Sequence, residues 1–382
     1  MRKLLFLCLS LVLCSGASAA VVPGSAEPRT GDEIVVCGQF FHTGTKVVLW
    51  MDPSGYDAYR AELRYPLPDV DRKTKGPMFG DRTAPLTDDQ IDKTRGGNWT
   101  LDQLQQHVDQ FVIHYDVSGV SQECFKALFA RGLSVHFMCD IDGTIYQTLD
   151  LKESAWHATV ANGRSVGVEL ASIGGYSSPL LLHEWYAKNA KTGHVSITIP
   201  PRLGDGGVLT PSFVGHPARN HVIRGSIQGH TYEQYDFTPQ QYDALAKLTA
   251  TLCTVFPKIQ CDYPRQKSSL GPPSDAADPQ PKPGDPTTRP SAIASPEEKG
   301  VLIPHKLSND QWEEFQGILG HYHVQADKQD PGPAFQWDLL ISKAKAQMSA
   351  DALKNNQHHR HQPARTIPAT QPSAVTTAPV RK

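Results

Sequence analysis

Residues 111–115 read Phe-Val-Ile-His-Tyr, and residues 166–170 read Val-Gly-Val-Glu-Leu. Each is a short apolar run rich in β-branched residues, the pattern of a buried strand. Each also carries one ionisable side chain. A carboxylate inside an apolar strand is costly to bury unpartnered, which makes Glu169 a candidate for chemistry. His114 ends its strand and is weaker evidence by itself. Outward from these two runs, residues 122–131 read as a helix stopped by Gly132, and 134–139 as a strand. Asp140-Ile141-Asp142-Gly143 is a hairpin turn leading into a strand at 144–149. Thr238-Pro239-Gln240-Gln241 opens a long helix, with Thr as cap, Pro first and Gln third. Its apolar stripe is Tyr242, Leu245, Leu248, Leu252 and Val255. Residues 193–200 alternate like an added strand. Strands interleaved with helices predict an α/β architecture.

The chain has 382 residues, room for two or three domains at ~150 residues each. Its 37 basic and 39 acidic side chains nearly cancel. That balance argues against a nucleic-acid binder. Arg2 and Lys3, the apolar run 4–13 and Ala17-Ser18-Ala19 predict a signal peptide over 1–19, and hence a periplasmic or extracellular protein with no transmembrane segment after cleavage. Leu13 stands where a lipoprotein site has a small residue, which argues against anchoring at Cys14. Five cysteines remain beyond the signal. Cys253 with Cys261 and Cys124 with Cys139 are the local pairings, leaving Cys37 over. Residues 268–298 hold eight prolines and read as a disordered insertion. The tail 354–382 carries five Lys or Arg and no acid, and reads as a disordered basic tail.

A third segment carries chemistry. Between Gly320 and Pro333 stand His321, His323, Asp327, Lys328 and Asp330. Two neutral imidazoles, one carboxylate and an open position make a catalytic zinc set.

In order along the chain, these segments resemble the zinc-dependent type-2 N-acetylmuramoyl-L-alanine amidases, whose fold is shared by peptidoglycan recognition proteins and amidase-type phage lysozymes. The resemblance rests on 111–115, on 133–137 with 142–147, on Ala155-Trp156-His157-Ala158 with Asn162, on 166–170, on the helix from Phe237, and on Gly320-His321 through Lys328-Gln329-Asp330 to Trp337. It implies a mixed, largely antiparallel central sheet flanked by helices. It implies zinc held by His114, His321 and Asp330, Glu169 as acid and base, and Lys328 beside the developing negative charge. Trp156, His157 and Asn162 match the segment that contacts substrate. The implied substrate is peptidoglycan or a muropeptide, cut between N-acetylmuramic acid and L-alanine. Both His321 and His323 lie within reach of a ligand role; Gly320 before His321 matches the family's ligand position.

The catalytic domain is expected over 101–350, interrupted by insertions at 173–235 and 268–298. Residues 20–100 form an N-terminal extension with no counterpart in a minimal domain. The alternative reading is a recognition module on the same fold that binds wall fragments without cutting them.

Overall fold

In a computed structural model of the chain, the structure describes residues 29–59, 78–82, 89, 99–266 and 300–360, with side chains to 350. The expected signal peptide and the proline-rich insertion lie outside the described residues. The chain divides at Thr30, and everything below concerns the unit from Gly31 onward.

The strands in chain order are β1 (Glu33–Val36), β2 (Gln39–His42), β3 (Val47–Leu49), β4 (Phe79–Asp81), β5 (Gln110–Tyr115), β6 (Phe137–Cys139), β7 (Ile145–Gln147), β8 (Glu153–Ala155) and β9 (Ser165–Leu170). They continue as β10 (Tyr186–Lys188), β11 (Val195–Ile197), β12 (Ile223–Ile227), β13 (His230–Gln234), β14 (Arg265–Gln266), β15 (Val301–Leu302) and β16 (Gly317–Gly320). The principal helices are α1 (Leu101–Gln105), α2 (Ser121–Ala130), α3 (Leu182–Trp185), α4 (Pro239–Val255), α5 (Asn309–Glu314), α6 (His321–Val324) and α7 (Trp337–Arg360).

Six strands form the central sheet in the order β16-β5-β9-β6-β7-β3. The sheet is mixed, as expected, but more parallel than the resemblance implies: only β6 and β7 run antiparallel, across the Asp140–Gly143 turn, where Gly143 sits at φ 83°. The reason is the crossover through α2, which returns the chain so that β6 lies parallel to β9 and β5.

Side chains alternate across the strands. Phe111, Ile113, Val166, Val168 and Ile318 face α4 and α7, packing against Tyr242, Leu245, Leu248, Trp337 and Leu340. Met138 and Tyr146 face the other way, onto Phe125, Leu128 and Phe129 of α2. His114, Gly167 and Glu169 therefore share the face opposite α4.

Helix α4 begins as its sequence predicts. Thr238 Oγ1 accepts from Gln241 N, and Gln241 Oε1 accepts from Thr238 N. The same Gln241 amide donates to the carbonyls of Cys139 and Ala171, tying together the ends of β6 and β9.

Residues 33–49 are built into the same core: β3 pairs with β7, and Ile34, Val35 and Val36 are buried with the α4 cluster. The 173–235 insertion is folded, with β10 paired to β11 and β12 to β13. The expected strand at 193–200 is β11. The last helix runs to Arg360, past the expected start of the tail at 354, through the helix formers Ala350, Ala352, Leu353 and Lys354.

All five described cysteines are free. Cys253 is buried in the α4 core and Cys261 packs against that core, without a disulfide. Pairing of Cys124 with Cys139 is corrected by the sheet: the two side chains pack in cores on opposite faces.

Candidate active site

Three segments converge on one face of the sheet. His114 comes from the end of β5, His321 opens α6 directly after β16, and Asp330 closes the following loop. The parallel pairing of β16 with β5 sets Gly320 opposite Ile113, so the two histidines emerge side by side. Their Nδ1 atoms lie 3.0 Å apart, and Asp330 Oδ2 lies 2.9 Å from the first and 3.0 Å from the second.

This triangle could hold a metal ion by its donor chemistry as well as its spacing. Two bare imidazole nitrogens at this distance repel unless a proton or a cation lies between them. Each ring's other nitrogen is engaged: His114 Nε2 with His157 Nδ1 at 2.9 Å, and His321 Nε2 with Gln325 Oε1 at 2.6 Å. If both Nε2 atoms donate, both Nδ1 lone pairs point inward, as a metal requires. The residues present therefore fit a divalent metal.

Electrostatics agree. Burial pushes the His114 imidazole down to about 4, with His321 adding to the shift. Burial alone would raise the Asp330 carboxyl, but the two imidazoles, His321 foremost, more than offset it and hold Asp330 well below the usual range.

His323 belongs elsewhere. It is fully buried, its Nδ1 accepts from Gly320 N at 2.9 Å, and its Nε2 bonds the Ile303 carbonyl at 2.8 Å. Both nitrogens are used in holding the strand end that presents His321.

The triangle opens into a groove of about 370 Å³, whose lining includes Trp156, His157, Asn162, Glu169 and Lys328. Glu169 Oε2 is buried with no hydrogen-bond partner. Burial, reinforced by Asp330 and Asp116, raises its carboxyl well above the ordinary value. Trp156 is 37% exposed on the rim. Asn162 Oδ1 accepts from the backbone N–H groups of His157 and Ala158, so it shapes the loop as well as lining the groove.

Several residues that matter here had no distinguishing signal in the sequence. Arg82, from the N-terminal region, is completely buried. Its guanidinium donates to the carbonyls of Leu151, Asn162, Gly163 and Ser165, and its Nη2 lies 2.9 Å from His136 Nε2. Gln228 and Gln234, from residues 173–235, donate to carbonyls of the segment from His321 to Pro331: Gln228 to Tyr322, Gln325 and Lys328, and Gln234 to Pro331. The two glutamines thus buttress the loop between His321 and Asp330. Val117 and Thr159, both β-branched, line the groove at positive φ, 53° and 46°. Such conformations are uncommon for these residue types and cluster at functional sites.

Two imidazoles and a carboxylate, with Glu169 beside them on one α/β sheet, have the donor chemistry that suits a divalent metal. Residues 104–281 match the family model for N-acetylmuramoyl-L-alanine amidase. Over those residues the chain is similar to the N-acetylmuramoyl-L-alanine amidase family. The matched span holds His114, Trp156, His157, Asn162 and Glu169; His321, Lys328 and Asp330 lie beyond it, and the sheet brings them back. No curated protein sequence matches the chain significantly. Among solved structures, the chain is similar to a selenomethionine derivative of AmpD (13% identity, TM-score 0.29, covering 72% of this chain and 96% of that one). It is also similar to AmiD from E. coli with an anhydro-N-acetylmuramic acid peptide substrate (16%, TM-score 0.30, covering 62% and 57%). A third is AmpDH3 from Pseudomonas aeruginosa with anhydromuramic pentapeptide (14%, TM-score 0.30, covering 80% and 84%).

Proposed function

We propose that this chain is an exported zinc amidase that hydrolyses the bond between N-acetylmuramic acid and L-alanine in peptidoglycan or muropeptides. The observation that carries the reading is the triangle of His114 Nδ1, His321 Nδ1 and Asp330 Oδ2, opening into a groove that also holds Glu169 and Lys328. Export rests on the sequence of residues 1–19.

Bound in the triangle, zinc would supply a Lewis acid and lower the pKa of a water molecule toward neutrality. Glu169 is the proton carrier. Its carboxylate takes the proton from the attacking water and returns it to the leaving nitrogen, and its lack of other partners leaves both oxygens available for the task. Lys328 lies on the rim of the same groove, and its ammonium opposes the negative charge that develops on the carbonyl oxygen. Trp156 offers an apolar face on which a sugar ring or lactyl group can rest.

A recognition module that had lost catalysis would have no need to keep a bare buried acid beside the ligand set, which favours the enzyme. Purified sacculi incubated with the chain should release free stem peptides. A chelator should stop the release and added zinc should restore it. Full activity in metal-free protein would remove this reading.

A further inference from the structure

His157 stands in the sequence as a groove residue that contacts substrate, but its ring does something else as well. Its Nδ1 lies 2.9 Å from Nε2 of His114, with the two rings nearly perpendicular at 86°. Resting on the metal-centre reading above, we propose that His157 is a positioning residue for that centre: a neutral acceptor that fixes His114 in the tautomer whose Nδ1 faces the ligand triangle.

The proton count leaves one arrangement. For His114 Nδ1 to offer a lone pair beside Asp330 and His321, the His114 proton must sit on Nε2. That N–H then needs an acceptor, and the atom it meets is His157 Nδ1. His157 must be bare at Nδ1 and carry its own proton on Nε2. There it meets the Ser165 hydroxyl at 3.3 Å, an oxygen able to accept.

The ring is held from three sides. Asn162 Oδ1 accepts from the backbone N–H groups of His157 and Ala158 at 3.1 and 2.6 Å. Gly167 of β9 lies beneath the ring, where an added Cβ would stand 2.6 Å from His157 Cε1 and Nδ1. No side chain larger than hydrogen fits at 167 without displacing the ring. Arg82 fixes the carbonyls of Asn162, Gly163 and Ser165 that follow in the loop.

Metal-bound histidines generally rest on a carboxylate, a carbonyl or water. Here the groups behind the two imidazoles are another imidazole and the Gln325 amide, both neutral. Asp330 is therefore the only anion in the triangle or directly behind its two imidazoles, so a divalent ion keeps a net positive charge.

The test uses the full chain with His157→Phe, His157→Gln and Gly167→Ala. Metal affinity is read by competition with a chelating indicator. The proton NMR spectrum of the cobalt-substituted protein is read for the exchangeable ring N–H signals of the ligand histidines. His157→Phe keeps a ring but no acceptor, and should weaken metal binding about 10–100-fold and speed exchange of one ligand N–H signal with solvent. His157→Gln, whose Oε1 can accept, should recover affinity and slow that exchange. Gly167→Ala should weaken binding in the same direction with His157 still present. Thermal unfolding of the metal-free forms shows which variants fold, and Gly167→Ala carries the test if His157→Phe does not. The proposal is overturned if His157→Phe folds and binds metal within twofold of wild type, or if His157→Gln loses as much as His157→Phe. Wild-type chain that binds no metal would instead remove the metal-centre reading, and this proposal with it.

Discussion

His114 and Glu169 stand opposite one another in the parallel ladder of β5 and β9. Neighbouring strands lie about 4.8 Å apart, so one register sets the imidazole and the carboxyl side by side on the same face. A slip of one residue would turn Glu169 into the α4 core. The apolar residues flanking it, Val168 and Leu170, both buried on the α4 side, are what hold that register.

Glu169→Gln should fold and keep its metal but lose turnover. The amide is nearly isosteric and cannot carry a proton at neutral pH. Loss of general acid–base catalysis costs about 10²–10⁴-fold. Single-turnover kinetics with metal content measured on the same sample checks this, and a near-normal rate would place the proton transfers on another group.

His321→Ala and His323→Ala should separate cleanly. The first removes a corner of the triangle, so metal binding should be lost while the metal-free protein melts nearly as before. The second leaves the triangle chemically complete but orphans Gly320 N and the Ile303 carbonyl in the core, costing roughly 2–4 kcal/mol of stability. Metal titration and urea unfolding of both variants decide it. Metal loss in His323→Ala, with the fold intact, would reverse the assignment.

The strands and helices that build the site are legible in the sequence because each has its own local signal. Thr238, Pro239 and Gln241 announce α4, and the apolar runs around His114 and Glu169 announce β5 and β9. The pairing of His321 with His114 is not local: 207 residues separate them, and only the parallel docking of β16 on β5 joins them. Arg82 was invisible for another reason. A surface arginine and one buried among carbonyls read identically as a letter, and its partners lie about 70–80 positions away. The role of Gly167 followed the same logic, since a glycine in a strand signals close approach without naming what approaches.

Arg82→Met should destabilise the protein and disturb the groove together. Burial lowers the Arg82 guanidinium only to about 10, so it remains a cation at neutral pH. Without it, the buried carbonyls of Leu151 and Ser165 lose their donor and those of Asn162 and Gly163 come loose, for a total of roughly 3–5 kcal/mol. KM should rise more than kcat falls, because the loop it pins carries Trp156 and Asn162 on the groove wall. Urea unfolding and steady-state kinetics on a soluble muropeptide read both effects. Unchanged stability would mean the carbonyls find other donors.

In metal-free protein the buried histidines should cost stability as the pH falls below about 6.5, against an opposite contribution from Asp116 and Asp140, which burial raises to about 7, and from Glu169, which burial raises well above its ordinary value. Burial pushes His114 down to about 4 and His323 down to about 3, and holds His136 and His157 well below their ordinary value. In the unfolded chain the same imidazoles titrate near about 6.5. At these histidines the unfolded state binds more protons than the native state below that pH, so their contribution is fully present above about pH 7.5 and drains as pH drops, by up to about 1.4 kcal/mol per pH unit for each histidine. For His323 alone, 1.5 units below 6.5, the loss at pH 5 is about 2 kcal/mol. His323 is the clearest probe, because both its nitrogens bond backbone and neither faces the triangle. His323→Gln should be less stable than wild type at pH 8 but should show a stability slope between pH 7 and 5 that is shallower by about one proton. Urea unfolding across that range in the presence of a chelator measures the slope. A variant slope equal to wild type would mean that His323 is not held neutral in the folded protein.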